Sequence, residues 1–507
     1  GVYRRMLVDV SRHQKNYDAA ETVLRGLASE SPNDANLAAA LVEVVSLAAG
    51  EALSAGDVEK LRALDEKATA LIRENRAKFP TNLAFLQAEC DQAARRGDLT
   101  QAVSITEEID KVAKNSSVGP LLRARLFASQ NRPHDVAKAY AEAVEREPRR
   151  LDVRVSLGDA SLRIGDVDEA LQQAEYVLGV EGSRRDAVLL QARALDASGL
   201  SDAQREAARA KAAAQLEAAV AADPKFIDAY QALADIQLKR NRRPAAIDAL
   251  KRGLAAEPDH ATTIAQYIQI LAEPDPASPG ARPTGLEEAR RLADEIAARD
   301  EKGSLMLAVA VGFHKARRLE LALPMSEKAA EKLDTPVARL NLGDLLLSIA
   351  ESQPDADKAR PLFERAVEQY DRVLAVQPSA VEAVNNKAWV LHSSLGRSEE
   401  ALKLVQDLAA RAHPTALPGE FYDTMGAIQE SLGRVEEAEA SYQEGLKRSP
   451  DLAVLHYHYG KLIAADKSRG NSAKDHLSRA IAAKDQLSPV MAEEAVRLVQ
   501  QIDVDAR

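Results

Sequence analysis

The chain has 507 residues, of which 46% are hydrophobic, 29% charged and 4% aromatic, with a formal net charge of −11. That apolar share is ample for a folded core and excludes global disorder, while the acidic balance argues against a nucleic-acid binder and against adhesion to an anionic membrane surface. The single cysteine, Cys90, rules out an intramolecular disulfide framework. No apolar run is read as approaching the roughly 18–20 residues that span a bilayer. The chain opens "GVYRRM" without an initiator Met, so a mature or trimmed fragment is expected and the compartment, cytoplasmic or periplasmic, is left open.

Alanine, leucine and glutamate dominate, a composition of small-residue helix packing rather than of sheets. Tyr17, Ala20, Leu24, Leu27 and Pro32 give the first helical stretch, closed by its proline. Extra residues around 49–65 lengthen the next pair of elements. "VSLGDASLRIGDVDEALQQAEYVLGVEG" (155–182) places Leu157, Gly158, Gly165 and Ala170 at offsets that return downstream. After further extra residues at 200–206, "YQALADIQLKRNRRPAAIDALKRGLAAEPD" (230–259) sets Tyr230, Leu233, Ala234, Ala246, Leu250, Gly253 and Pro258 in the same frame. Pro224 to Pro258 and Gly165 to Gly199 are both 34 residues apart.

An apolar helix over 261–272 meets "EPDPASPGARPTG" (273–285), whose prolines and glycines forbid helix. That segment is either a long loop at the edge of the array or a hinge between two arms, 1–272 and 286–507. "LEEARRLADEIAARD" resumes the helical pattern, and 351–359 again carries extra residues. The fullest copy is "YDTMGAIQESLGRVEEAEASYQEGLKRSPD" (422–451), with Gly426, Gly433, Ala438, Tyr442 and Pro450. "MAEEAVRLVQQIDVDAR" at the end has the pattern of a capping helix over about 488–502.

These offsets resemble the tetratricopeptide repeat (TPR), a helix–turn–helix of 34 residues. Small residues let the two helices of a unit approach and receive the next unit, and a proline stops the second helix. The resemblance implies an all-α, right-handed superhelical α-solenoid of about 13 units with a C-terminal capping helix. The second helices are expected to finish near Pro32, Pro80, Lys114, Pro148, Gly182, Pro224, Pro258, Glu301, Asp334, Pro378, His413, Pro450 and Lys484. The organisation expected is an N-terminal arm (1–272), the 273–285 segment, a C-terminal arm (286–487) and a cap with tail (488–507).

No catalytic, phosphate-loop, dinucleotide or metal motif survives inspection, so no catalytic residue, cofactor or metal is assigned. Cys90 falls at a small packing position, where burial suppresses a thiol's reactivity. His456 and His458 in "HYHYG" are two residues apart on a helix and point away from each other, unlike an i, i+4 ligand pair. Asn115-Ser116-Ser117 satisfies a glycosylation acceptor pattern that is common by chance. "KRNRR" (239–243) reads as a solvated turn.

In the family the first helix of each unit lines a concave groove. The corresponding positions hold Asp91 and Arg95, Asp159 and Arg163, and Asp235 and Lys239, acids four residues before bases. These either stabilise their own helices or present alternating charge to a polar peptide. Towards the C-terminus the same positions give Asn385, Asn386, Trp389 and His392, then Asp423, then Tyr457, His458 and Lys461. Trp389 is the only tryptophan, and tryptophan and tyrosine anchor interfaces through large rigid area. Gly396 comes one residue late, which leaves the register of that unit open. The Lys and Asn pair of the family's chaperone-peptide clamp is absent.

The function expected is a non-enzymatic scaffold binding a partner peptide or protein in its groove. The alternative is the helical arm of a larger bacterial envelope, exopolysaccharide-export or glycosyltransferase protein. No nucleic acid and no direct membrane insertion are expected, and a monomer is favoured over association through terminal units.

Overall fold

The computed structural model describes residues 13–55, 58–130, 132–197, 201–274, 283–412 and 417–505. These form 26 α-helices and no strand. The chain divides into two compact units, Gly1–Ala246 and Ile247–Arg507.

Among the described residues the first unit opens with α1 (Tyr17–Glu30), followed by pairs. These are α2 and α3 (Ala35–Ala55, Val58–Lys78), α4 and α5 (Leu83–Arg95, Leu99–Val112), and α6 and α7 (Val118–Ser129, Pro133–Arg146). Next come α8 and α9 (Leu151–Arg163, Val167–Val180), α10 and α11 (Arg185–Ala197, Asp202–Ala222), then α12 (Ile227–Lys239) and α13 (Arg243–Ala256), which contains the boundary. The second unit continues with α14 and α15 (Ala261–Ala272, Leu286–Arg299), α16 and α17 (Ser304–Lys315, Leu319–Leu333), and α18 and α19 (Pro336–Glu351, Ala356–Val376). It ends with α20 and α21 (Val381–Ser393, Ser398–Arg411), α22 and α23 (Gly419–Ser431, Val435–Arg448), α24 and α25 (Ala453–Ala464, Gly470–Ala482), and a last helix α26 (Pro489–Asp505).

Each of the thirteen second helices thus stops one or two residues before its expected terminus, and α26 occupies the place of the cap. His413, one of those termini, and residues 1–12 lie outside the described residues. The fold is an all-α helical repeat solenoid.

Small residues create the close approaches. Cys90, Ala124, Ala234 and Ala388 are fully buried, and Gly343 and Gly426 face the buried rings of Tyr370 and Tyr442. Helix starts are set by Asp98 and Asp166, whose carboxylates accept from the amides of Gln101 and Glu169. Several of the turns inside a pair use one left-handed residue. Gly165 (φ +79°) and Gly433 (φ +74°) supply it cheaply. In "KRNRR" that place is taken by Asn241 (φ +55°), a residue that tolerates the conformation, so the run is the inter-helix turn. In the α20–α21 turn Gly396 adopts φ +68° one residue later than its counterpart, while α20 keeps the same 13-residue length as α22.

The expectation that no run could span a bilayer needs correction. Ala35–Ala52 within α2 reaches the required length, with a mean hydropathy of 1.4. Glu43 and Glu51 interrupt it and lower that mean, but not below the value a spanning segment requires. Both glutamates are exposed, whereas Leu37, Leu41, Val42, Val44 and Val45 are buried against neighbouring helices.

Most of the 273–285 segment, residues 275–282, lies outside the described residues. Its flanks, both in the second unit, are joined: the Tyr267 hydroxyl donates to Glu288 at 2.7 Å, and the Arg318 Nε donates to the Ala272 carbonyl at 3.0 Å.

Candidate functional site

The eight residues singled out by sequence sit on three first helices, α20, α22 and α24. With α18 and α26 these helices are linked side by side through polar contacts. Asn386 Nδ2 donates to Asp344 Oδ1 on α18 at 2.9 Å, and the Tyr370 hydroxyl donates to the same oxygen at 2.8 Å. Burial raises the Asp344 carboxyl above the usual range, against the pull of those two donors.

Asn385 is half-buried. Its amide lies 3.5 Å from Asn386 Oδ1, and its own Oδ1 is buried with no hydrogen-bond partner. One turn on, Trp389 is half-buried and meets His392 edge-on, with ring centroids 6.1 Å apart. His392 Nδ1 lies 3.0 Å from Ser398 Oγ and 3.5 Å from Ser431 Oγ on α22. Burial lowers the His392 pKa, favouring the neutral ring.

Asp423 is buried (7% exposed), and its Oδ1 lies 2.8 Å from His458 Nδ1 on α24. His458 in turn stacks on Tyr442. Tyr457 is 3% exposed and donates its hydroxyl to Glu494 on α26 at 2.5 Å. Lys461 Nζ pairs with the same carboxylate at 3.2 Å, 5.7 Å from the centre of the Tyr457 ring. Tyr457, His458 and Asp423 therefore hold helices to one another. Asn385, Trp389, His392 and Lys461 keep exposed surface.

Sequence reading missed Asp344, Tyr370, Ser431 and Glu494, the partners that complete this polar row. Asp344 was available as the polar residue following a small one in "LNLGDLLL", the same place that Asp91 and Asp159 hold. The others are contributed by second helices, helix ends or the cap, outside the positions scanned.

In the first unit the acids close across repeats. Asp91 pairs with Arg125 and, at 2.7 Å, Asp159 with Arg193; each partner lies 34 residues on, at the same place in the next first helix. Lys239 pairs with Asp196, and Arg95 lies 3.6 Å from Asp65. Cys90 is fully buried, and burial pushes its thiol up to about 12. His456 points away from His458, to His476 on α25, with the two Nδ1 atoms 2.8 Å apart. No group of three or more potential metal ligands occurs among the described residues.

Family profiles described as "Tetratricopeptide repeat" match residues 121–179, 355–416 and 419–452. No curated protein matches the chain. Among solved structures, yeast Tom70 is 13% identical with a TM-score of 0.43, over 85% of this chain and 97% of that one. The Cut9-Hcn1 hetero-tetramer of the APC/C is 14% identical with a TM-score of 0.37, over 99% and 96%. The human IFIT1 dimer with m7Gppp-AAAA is 14% identical with a TM-score of 0.36, over 77% and 90%.

Proposed function

Because the chain is a tetratricopeptide repeat protein, we propose that it is a non-enzymatic interaction scaffold whose second unit grips a peptide segment of a partner along α20 and α22. The observation that carries this reading is the Oδ1 of Asn385, a buried acceptor with no partner, one helical turn from the half-buried Trp389. Leaving a buried polar atom unpaired costs about 1–3 kcal/mol, so such an atom calls for an explanation. A rotation of the Asn385 amide out of that buried position would let the oxygen accept from a backbone N–H of a bound peptide. Trp389, at i+4 on the same face, would then cover an apolar side chain of that peptide. Asp423, Tyr457 and His458 act in this reading as supports that fix the helices, with Lys461 at the margin.

The test is affinity capture with the full chain, comparing wild type with Asn385→Ala combined with Trp389→Ala. Loss of a specific partner from the variant, together with a shift in Trp389 emission when that partner is added to wild type, is expected. Recovery of the same partners at equal strength by both proteins would sink the proposal.

A further inference from the structure

The first unit contains a cavity of about 520 Å³ between α3, α4 and the start of α5. Thr69, Arg73, Arg76, Glu89 and Arg96 contribute to its wall. That volume lies in the range of small-ligand sites, about 300–1,000 Å³. The lining mixes apolar and polar side chains, and its charge is biased in sign, with three arginines facing one carboxylate.

The arginines differ in how far they are satisfied. Arg76 is neutralised: its guanidinium pairs with Glu89 at 2.9 Å and with Glu108 at 2.8 Å. Arg96 reaches only neutral acceptors, the Asp65 carbonyl at 3.3 Å and the Thr69 hydroxyl. Arg73 is exposed and has no hydrogen-bond or ion-pair partner among the described residues. Two guanidiniums without counter-charge therefore border one cavity in a chain whose net charge is −11. Guanidinium forks match carboxylates geometrically and bind them in pairs of hydrogen bonds.

We propose that this cavity is a second binding site, which takes the side-chain carboxylates of an acidic peptide segment. The surroundings choose among anions. The single pair Arg73 and Arg96 suits one or two carboxylates, whereas the repeating phosphates of a nucleic acid would need an extended basic face that this acidic chain does not offer here. The site lies in the other compact unit from Trp389 and does not rest on the reading given for that face. Either can fail alone.

The experiment is fluorescence anisotropy of a fluorescein-labelled hexaglutamate peptide with the full chain, alongside a hexalysine control. Competition by inorganic phosphate and by a single-stranded oligonucleotide separates the sources of anion. Saturable binding of hexaglutamate alone is expected, weakened about tenfold, or roughly 1.4 kcal/mol, by Arg73→Glu and several-fold by Arg96→Gln. Trp389→Ala should leave it unchanged. Arg73 has no hydrogen bond or ion pair to lose among the described residues, so its substitution should keep the fold, which circular dichroism checks. No saturable binding below about 1 mM, undiminished binding by Arg73→Glu, or stronger displacement by the oligonucleotide or phosphate than by unlabelled hexaglutamate would each overturn the proposal.

Discussion

Gly426 on α22 sits against Tyr442 on α23 so closely that a Cβ at position 426 would stand 2.5 Å from the tyrosine ring. Tyr442 is fully buried, and its hydroxyl is held by Glu430 at 3.0 Å, so the ring has little room to give. Gly426→Ala is therefore expected to cost about 1–3 kcal/mol through overpacking. Gly433, in the turn of the same pair, has open space around it but a φ of +74°. Gly433→Ala should cost about 1 kcal/mol, for backbone strain alone. Urea denaturation of the two variants separates these causes. A Gly426→Ala cost no greater than that of Gly433→Ala would refute the close-packing account.

The same contrast explains what the sequence could disclose. Packing and stopping residues recur at fixed offsets because one geometric problem is solved in every unit, so helix termini and buried small positions were legible to within one or two residues. The polar row was only half legible. Asn386, His392 and Tyr457 stand at repeating positions, but their partners Asp344, Ser431 and Glu494 belong to a lengthened unit, a helix end and the cap. The charge pairs were misread for a related reason. Asp159 could reach a base four residues along its own helix or the equivalent base one repeat away, and local spacing offers only the first. Arg193, 34 residues on, takes it.

Cys90 illustrates a position where structure and reactivity follow from one cause. Its side chain is fully buried, with Sγ 3.5 Å from the Ala102 carbonyl. Burial pushes the thiol up to about 12, so almost no thiolate exists near neutrality. The folded protein is expected to give less than about a tenth of a molar equivalent of thiol with a disulfide reagent in minutes, and one full equivalent in guanidinium chloride. Prompt stoichiometric labelling of the folded chain would contradict the burial.

Ion pairs of similar length should differ sharply in worth. Asp159 and Arg193 are 39% and 56% exposed, so Arg193→Ala should cost at most about 1 kcal/mol. Asp110 is 20% exposed and bonded by both Arg123 and Arg146, with side chains 12% and 17% exposed. Burial raises its carboxyl pKa, but the two arginines outweigh that and hold it below the usual value. Asp110→Asn, which removes the charge and leaves two guanidiniums crowded, should cost about 3 kcal/mol or more. Thermal unfolding of the two single variants tests the ranking. Equal costs would mean that exposure does not govern these pairs.

His476, in contact with His456, should make α24 and α25 sensitive to acid. His456 Nε2 lies 2.8 Å from the Pro450 carbonyl, which can only accept, so that nitrogen carries the proton. In the neutral ring His456 Nδ1 is then the acceptor, and His476 Nδ1 donates across their 2.8 Å contact. Tyr459 stands edge-on to His476 with centroids 4.8 Å apart, and Asp475 and Arg479 flank it on its own helix. Arg469 beside Tyr459 is neutralised by Glu439. Burial, then His456 and Arg479, lower the His476 pKa, with Asp475 opposing. A histidine held neutral in the fold protonates first in the unfolded chain. Its stabilising share is therefore complete above about pH 7, is lost as pH falls from about 6.5 towards the lowered folded value, and is constant below that. His314 and His392, also lowered by burial, add to the same limb. The unfolding temperature should thus drop as pH falls below about 7, and His476→Gln should make that drop shallower without removing it. An equally steep fall in the variant would show that the histidine pair is not part of the acid response.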